Sequence, residues 1–181
     1  MLDAGRRLFL ERGYDAPSLG DITQAADLGT GTYYLHFRDK RSLYEAVVRR
    51  ELLALRTRWV DERARRKLNG EPADEIALMV EMVLEALLED ARLARLVLFD
   101  GPPLETWLVE EIGREMAQVL GQRVASAELV SHLVIGATLN AARWALTKRR
   151  AVSSKRLVAD AVAFCAAGVA FTNLPKKKRQ N

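Results

Sequence analysis

Residues 18–40 read SLGDITQAADLGTGTYYLHFRDK, and this stretch decides the fold. Ser18 can cap a short helix, with Asp21 three residues later as an acidic residue of its first turn. A tight turn at residues 27–29 then requires a left-handed backbone, and a second short segment follows it. A helix predicted over residues 2–12 precedes the stretch. Three helices in about fifty residues, the last two joined by a tight turn, predict a helix-turn-helix unit.

The segment predicted as a helix over residues 30–36 has two faces. Tyr33 and Phe37, four residues apart, can point to the core. The other face carries hydroxyl, imidazole and aliphatic groups, which suit phosphate oxygens and thymine methyl groups in a DNA groove. Asp39 caps the next helix, and Lys40 lies in its first turn. There the Lys40 ammonium group and free backbone N–H groups can bind a phosphate together. The candidate DNA-contacting residues are Ser18, Thr30, Gly31, Thr32, Tyr34, Leu35, His36 and Lys40.

Helical periodicity continues through the rest of the chain, and alternating runs typical of strands are absent from the sequence. After the turn at residues 69–72, one long helix is predicted to run toward the break at residues 100–103. The sequence therefore predicts an all-α protein of about nine helices. The predicted domains are residues 1–50, with the fourth helix continuing to about residue 67 as a connector, residues 71–174, and a basic tail at 175–181.

The last two predicted helices are nearly free of charge. Residues 126–147 contain only Glu128 and Arg143 as charged residues, and residues 157–174 contain only Asp160. A helix that is apolar almost all round must be covered on more than one side. The uncharged runs are shorter than the ~20 residues that a bilayer span needs, so no membrane contact is expected. We interpret these helices as a subunit interface, with an intramolecular core as the alternative.

Composition excludes several classes of protein. The chain has 181 residues, of which 49% are hydrophobic and 29% charged, and this is typical of a folded domain rather than a disordered one. A single cysteine, Cys165, excludes a disulfide framework and a cysteine-rich zinc site. Because the sequence shows no secretory leader, we expect a cytoplasmic location, in bacteria at the nucleoid.

Sequence motifs for catalysis are absent. There is no His-Glu-x-x-His, no phosphate-binding loop and no Gly-x-Ser-x-Gly. His36 and His132 fall in different predicted domains, which argues against a shared metal site. We therefore expect no enzyme, and we assign no catalytic residue, metal ligand or cofactor.

Several motifs within residues 2–50 carry a family resemblance. They are Leu2-Asp3-Ala4, Leu8-Phe9, Arg12-Gly13-Tyr14-Asp15-Ala16, Asp21-Ile22, and Gly31-Thr32-Tyr33-Tyr34-Leu35-His36-Phe37-Arg38-Asp39-Lys40. Together they resemble the DNA-binding domain of the tetracycline-repressor-like (TetR) transcriptional regulators. The resemblance implies a helix-turn-helix DNA-binding domain, and a C-terminal helical domain that binds a ligand and forms a homodimer. It also implies that Thr32, Tyr34, His36 and Lys40 contact DNA, mostly its backbone.

An effector pocket in the C-terminal domain would be lined by apolar, aromatic and a few polar side chains. Methionine flexibility and tryptophan rings suit an aromatic or amphipathic ligand. His132 and Asn140 lie eight residues apart on one helix face, and polar groups in so apolar a helix need partners. The candidate ligand-binding residues are Met79, Met82, Phe99, Trp107, His132, Asn140 and Trp144, with an ordinary core role as the alternative for Met79, Met82 and Phe99.

These observations favour a ligand-responsive transcriptional repressor. We expect it to form a homodimer through its last two long helices. The homodimer is expected to bind a pseudo-palindromic operator in double-stranded DNA and to be released from it by an unidentified small-molecule effector. An activator is one alternative. Another is a helical small-molecule-binding or enzymatic bundle with a vestigial DNA-binding domain, because Asp27 and Gly29 replace the Gly and Ser usual in the family.

Overall fold

A computed structural model of the chain describes residues 1–102, 105–121, 124, 126–148 and 153–172. Regular structure in these residues is helical throughout, which confirms the predicted all-α class. The predicted basic tail at 175–181 lies outside the described residues. The helices are α1 (Leu2–Arg12), α2 (Leu19–Ala25), α3 (Thr30–His36), α4 (Lys40–Arg65), α5 (Pro72–Glu89), α6 (Ala91–Arg95), a π-helical turn (Leu96–Asp100), α7 (Glu105–Leu120), α8 (Ala127–Thr147) and α9 (Ser154–Thr172).

Helices α2 and α3 begin where the sequence predicts them to begin. Ser18 and Asp21 form a reciprocal capping box at the start of α2. Asp27, in the turn between the two helices, has a φ of 54°, which confirms the predicted left-handed backbone. Gly29 caps α3 without a side-chain hydrogen bond. The turn therefore fixes where α3 starts, and no side chain of the N-cap residue contributes a hydrogen bond to that start.

The single long helix predicted after residue 72 is wrong at Asp90. There α5 has ended, and the Asp90 carboxylate accepts hydrogen bonds from the backbone N–H groups of Arg92 and Leu93. An aspartate side chain offers these N–H groups an acceptor outside the helical ladder, so it starts a new helix at this position. The short helix α6 and the π-helical turn follow this break.

The chain divides into two compact units. The first contains residues 1–58 and 86–105, and the second contains residues 59–85 with the described residues from 106 onward. In the first unit, Phe9, Tyr14 and Tyr44 form a cluster with ring centroids 5.2–5.9 Å apart. These units are defined by packing alone, so the predicted division into a DNA-binding and a ligand-binding domain stays a prediction.

The second unit contains the pair α8 and α9, which pack against each other. Along α8, the side chains of Val130, Val134 and Leu139 are buried. None of the described helices combines the length and apolar character that a bilayer span requires.

Candidate nucleic-acid interface

Helix α3 presents one face to solvent and anchors the other in the core. Tyr34 and Leu35 are 58% and 81% exposed, whereas Tyr33 is fully buried. The Tyr33 hydroxyl donates a hydrogen bond of 2.8 Å to the carbonyl oxygen of Asp39, at the start of α4. Burial raises the pKa of Tyr33 to about 12, so its hydroxyl remains a neutral donor at physiological pH.

The predicted contact residues on α3 are accessible together. Thr30, Gly31 and His36 are exposed along with Tyr34 and Leu35, and Thr32 is half-buried. A projecting helix with exposed hydroxyl and imidazole groups fits the major groove of B-DNA, which admits one α-helix. The structure thus brings these predicted residues to one solvent-facing helix, and their contact with DNA stays a prediction.

Ser18 has a structural role at the start of α2. Its hydroxyl donates to Asp21 Oδ2 over 2.6 Å, and the Asp21 backbone N–H donates back to Ser18 Oγ over 3.1 Å. The hydrogen bonds from Ser18 lower the pKa of Asp21, so its carboxylate stays ionised at the helix N-terminus. Ser18 remains exposed, and its oxygen can also accept further hydrogen bonds.

Lys40 is held against the loop that precedes α2. Its ammonium group donates to the carbonyl oxygens of Asp15, over 3.0 Å, and Pro17, over 3.3 Å. The same nitrogen lies 4.7 Å from the centre of the Tyr14 ring. An ammonium group has three N–H donors, so two carbonyls leave one donor for a phosphate. Lys40 therefore joins α4 to this loop and can also contact DNA.

Arg38 is a basic residue that the sequence analysis did not single out. It follows α3, its side chain is 88% exposed, and its Nε lies 3.2 Å from Asp39 Oδ2. Because a surface ion pair of this kind is weak, the guanidinium can exchange this partner for a phosphate. In the sequence, its position just after the residues predicted to form α3 was the signal that could have identified it as a candidate DNA contact.

The predicted ligand-binding residues differ in the unit to which they belong and in their exposure, and their role in a ligand site stays a prediction. Phe99 belongs to the first unit and is exposed, and the other six belong to the second unit. Trp107 lies in α7, with a side chain outside the described set. Met82 is buried and Met79 half-buried on α5, whereas His132, Asn140 and Trp144 are exposed on α8.

His132 already has a partner in its own helix. Its Nδ1 lies 2.9 Å from the Glu128 carbonyl oxygen, and its ring lies beside Gly113 of α7. In the part of the chain that the structure describes, no group of three His, Cys, Asp or Glu side chains is arranged to hold a metal ion. The assignment of His132 to an effector pocket stays a prediction.

Sequence reasoning missed a buried polar group in the second unit. Glu75 of α5 is fully buried, and its Oε1 accepts a hydrogen bond of 2.7 Å from Arg63 Nε. Arg63 also lies over the ring of Trp59. The only signal was one acidic residue next to the apolar stripe of α5, which looks like ordinary surface charge in a sequence.

Comparison with known proteins supports the family resemblance of the N-terminal segment. Residues 1–47 match the family described as bacterial regulatory proteins, tetR family. The match establishes a resemblance to the TetR family for this segment of the chain. The matched segment contains α1, α2, α3 and the first turns of α4, and thus every predicted DNA-contacting residue.

The relatives of this chain include named regulators. It is 30% identical over 92 residues to the transcriptional regulator AcrR of Shigella flexneri, which covers 51% of this chain and 42% of AcrR. It is 39% identical over 51 residues to the transcriptional repressor Rv1474c of Mycobacterium tuberculosis, which covers 28% of this chain and 27% of that protein. The chain therefore matches less than half the length of these relatives.

A solved structure resembles most of the chain. The transcriptional regulator FadR from Bacillus subtilis, in complex with stearoyl-CoA, has a TM-score of 0.71 at 15% identity, covering 93% of this chain and 97% of that one. At this identity the likeness establishes the fold. The chain thus shares its helical fold with that protein.

Proposed function

We propose that this chain is a transcriptional repressor of the TetR family that binds a pseudo-palindromic operator in double-stranded DNA as a homodimer. The observation that carries the proposal is the exposed face of α3 above the buried Tyr33, within the segment that matches the family. Rv1474c, one of the relatives that the chain matches, is named a repressor. Because the matched family is one of regulatory proteins, we propose no enzymatic activity.

The exposed faces of α8 and α9 support a homodimer. Leu129 and Leu133 on α8, and Phe164 and Phe171 on α9, are 59–74% exposed. Each pair recurs at the spacing of one helix face, and contiguous apolar patches of this kind mark interaction surfaces. A second copy of the chain would cover both faces and hold two α3 helices about 34–36 Å apart, one helical turn of DNA.

A small-molecule effector would release the repressor by binding one spacing of the two α3 helices better than the other. The FadR relative was solved with stearoyl-CoA, which supports a ligand-binding role for the shared helical arrangement. The predicted ligand-binding residues of the second unit, which include Met79 and Met82, are the first candidates for the lining of this site. The class of effector is argued in the next subsection.

The test of DNA binding is the salt dependence of affinity. Fluorescence anisotropy with DNA flanking the chain's own gene would measure the dissociation constant between ~50 and ~200 mM salt. Replacing Lys40 by Ala is expected to reduce the slope of log K against log salt by about 1 per subunit. Arg38→Ala is expected to do the same without disturbing the loop before α2.

Arg156→Ala is the charge-matched control for this test. Arg156 is exposed on α9, 3.5 Å from Asp160, and lies in the second unit. Its removal is expected to leave the salt slope unchanged. If the salt slopes of Lys40→Ala and Arg38→Ala equal that of Arg156→Ala, neither Lys40 nor Arg38 contacts the DNA. Failure of the wild-type protein to bind any flanking DNA would overturn the proposal.

A further inference from the structure

Two buried polar atoms of the second unit have no hydrogen-bond partner among the described residues. They are Oε2 of Glu75 and Nε1 of Trp59. Glu75 is 0% exposed, and its charge is balanced through Oε1 by Arg63. Leaving a buried acceptor and a buried donor unsatisfied destabilises a folded protein, so each such pair needs an explanation.

Arg63 joins the two residues into one cluster. Its Nε lies 2.7 Å from Glu75 Oε1, and its Cζ lies 5.7 Å from the centre of the Trp59 ring. Trp59 and Arg63 are four residues apart on α4 and therefore share a helix face. The Arg63 side chain is 42% exposed, so the cluster extends from the interior to the surface.

The helix face that carries Glu75 continues with two methionines. Glu75, Met79 and Met82 stand at positions i, i+4 and i+7 of α5, which places them along one face. Methionine side chains adapt to ligands and make favourable contacts with aromatic rings. The cluster therefore combines two unsatisfied polar atoms with an adaptable apolar surface, as small-molecule sites do.

We propose that Glu75 and Trp59 form the polar end of the effector site and that they bind a neutral, hydroxyl-bearing aromatic molecule of the phenol class. This inference rests on the proposed ligand-responsive function. A hydroxyl group has both of the required roles, because its hydrogen can be donated to Glu75 Oε2 and its oxygen can accept from Trp59 Nε1. A neutral ligand fits because Arg63 already balances the carboxylate.

The test uses phenol as the probe and toluene as the matched molecule without a hydroxyl. Isothermal titration calorimetry of the full chain is expected to give an affinity for phenol about tenfold or more above that for toluene, since a site built for a hydroxyl rejects the analogue that lacks it. Trp59→Phe keeps the ring and removes the N–H. It is expected to lower the affinity for phenol about tenfold and to leave that for toluene within about twofold.

Two further variants separate the site from general effects. Glu75→Gln replaces the Oε2 acceptor by a donor and is expected to lower phenol affinity in the same way, with folding checked by circular dichroism. Glu89→Gln is the matched control, because Glu89 is exposed at the end of α5, and it is expected to change neither affinity. Equal binding of phenol and toluene, or equal effects of Glu75→Gln and Glu89→Gln on phenol affinity, would overturn the inference.

The inference and the proposed function fail in different experiments. If the wild-type chain binds operator DNA but shows no phenol selectivity, the effector class is wrong and the regulator stands. If phenol binds as expected and no DNA binds, the site stands and the regulator does not. A crystal structure with an ordered water joining Glu75 and Trp59, undisplaced by phenol, would assign the two residues a purely structural role.

Discussion

Tyr33 fixes the position of α3 through one buried hydroxyl, which donates to Asp39 across 2.8 Å. Replacing Tyr33 by Phe keeps the ring in the core and leaves the Asp39 carbonyl without this donor. We expect a loss of about 1 kcal/mol in the free energy of unfolding, the usual contribution of a neutral hydrogen bond. Urea denaturation followed by circular dichroism at neutral pH would measure the loss.

The same hydroxyl makes a prediction about alkaline pH. Burial raises the pKa of Tyr33 from an ordinary 10.0 to about 12 in the folded protein. Its contribution to stability is therefore complete below pH 10 and is lost as the pH rises through 12, because the unfolded chain ionises first. The stability difference between wild type and Tyr33→Phe is expected to shrink over this interval. Tyr34→Phe, on the exposed face, is the control, and parallel pH curves for wild type and Tyr33→Phe would contradict the assignment.

Single residues differ in how far a sequence reveals them. The left-handed backbone at Asp27 was predictable, because a tight turn at that spacing imposes it whichever residue is present. The burial of Glu75 was not predictable, since it depends on a guanidinium from another helix that balances the carboxylate. Local backbone geometry depends on neighbouring residues, whereas the environment of a side chain depends on residues distant in sequence.

At the scale of elements, the π-helical turn at residues 96–100 is held by a close approach of backbone to side chain. The Tyr44 hydroxyl donates to the Leu96 carbonyl oxygen over 3.1 Å. A Cβ atom added at Gly101 would overlap the Tyr44 hydroxyl oxygen and would lie 2.6 Å from the Leu96 carbonyl oxygen. Only glycine therefore fits at this position without displacing the turn or Tyr44.

Replacing Gly101 by Ala is expected to lower the free energy of unfolding by about 2–3 kcal/mol, the range of strongly overpacked sites. Thermal denaturation would measure the change. Gly20→Ala is the matched control, because a Cβ there meets only Ser18 Oγ at 3.6 Å and alanine favours the helix. A Gly101→Ala protein as stable as the wild type would contradict the packing described for this turn.

The elements themselves were largely predictable from periodicity and capping residues. The bounds of α1 and α3 agree with the sequence, since Gly13 ends one helix and the turn at residues 27–29 starts the other. The break at Asp90 was missed, because an apolar stripe continues across it and an aspartate within a helix looks like surface charge. The structure shows its capping role, because its carboxylate accepts hydrogen bonds from backbone N–H groups in the first turn of α6.

At the scale of the whole molecule, DNA recognition by two copies of α3 depends on the proposed dimer. Leu133 of α8 and Phe164 of α9 are 64% and 74% exposed, in two helices that pack together. Replacing Leu133 by Asp places a charge where the second copy would pack, and burying an unpaired charge is strongly unfavourable. We expect the variant to be monomeric at micromolar concentration.

Light scattering coupled to size-exclusion chromatography would measure the mass of each variant in solution. Val60→Asp is the control, since Val60 is 52% exposed on α4, away from α8 and α9 in sequence, and its replacement is expected to leave the dimer intact. Because two linked half-sites bind far more tightly than one, the monomer is expected to lose at least about tenfold in operator affinity. A Leu133→Asp protein that remains dimeric and binds the operator normally would show that the subunits associate through a different surface, and the exposed faces of α8 and α9 would then require another partner.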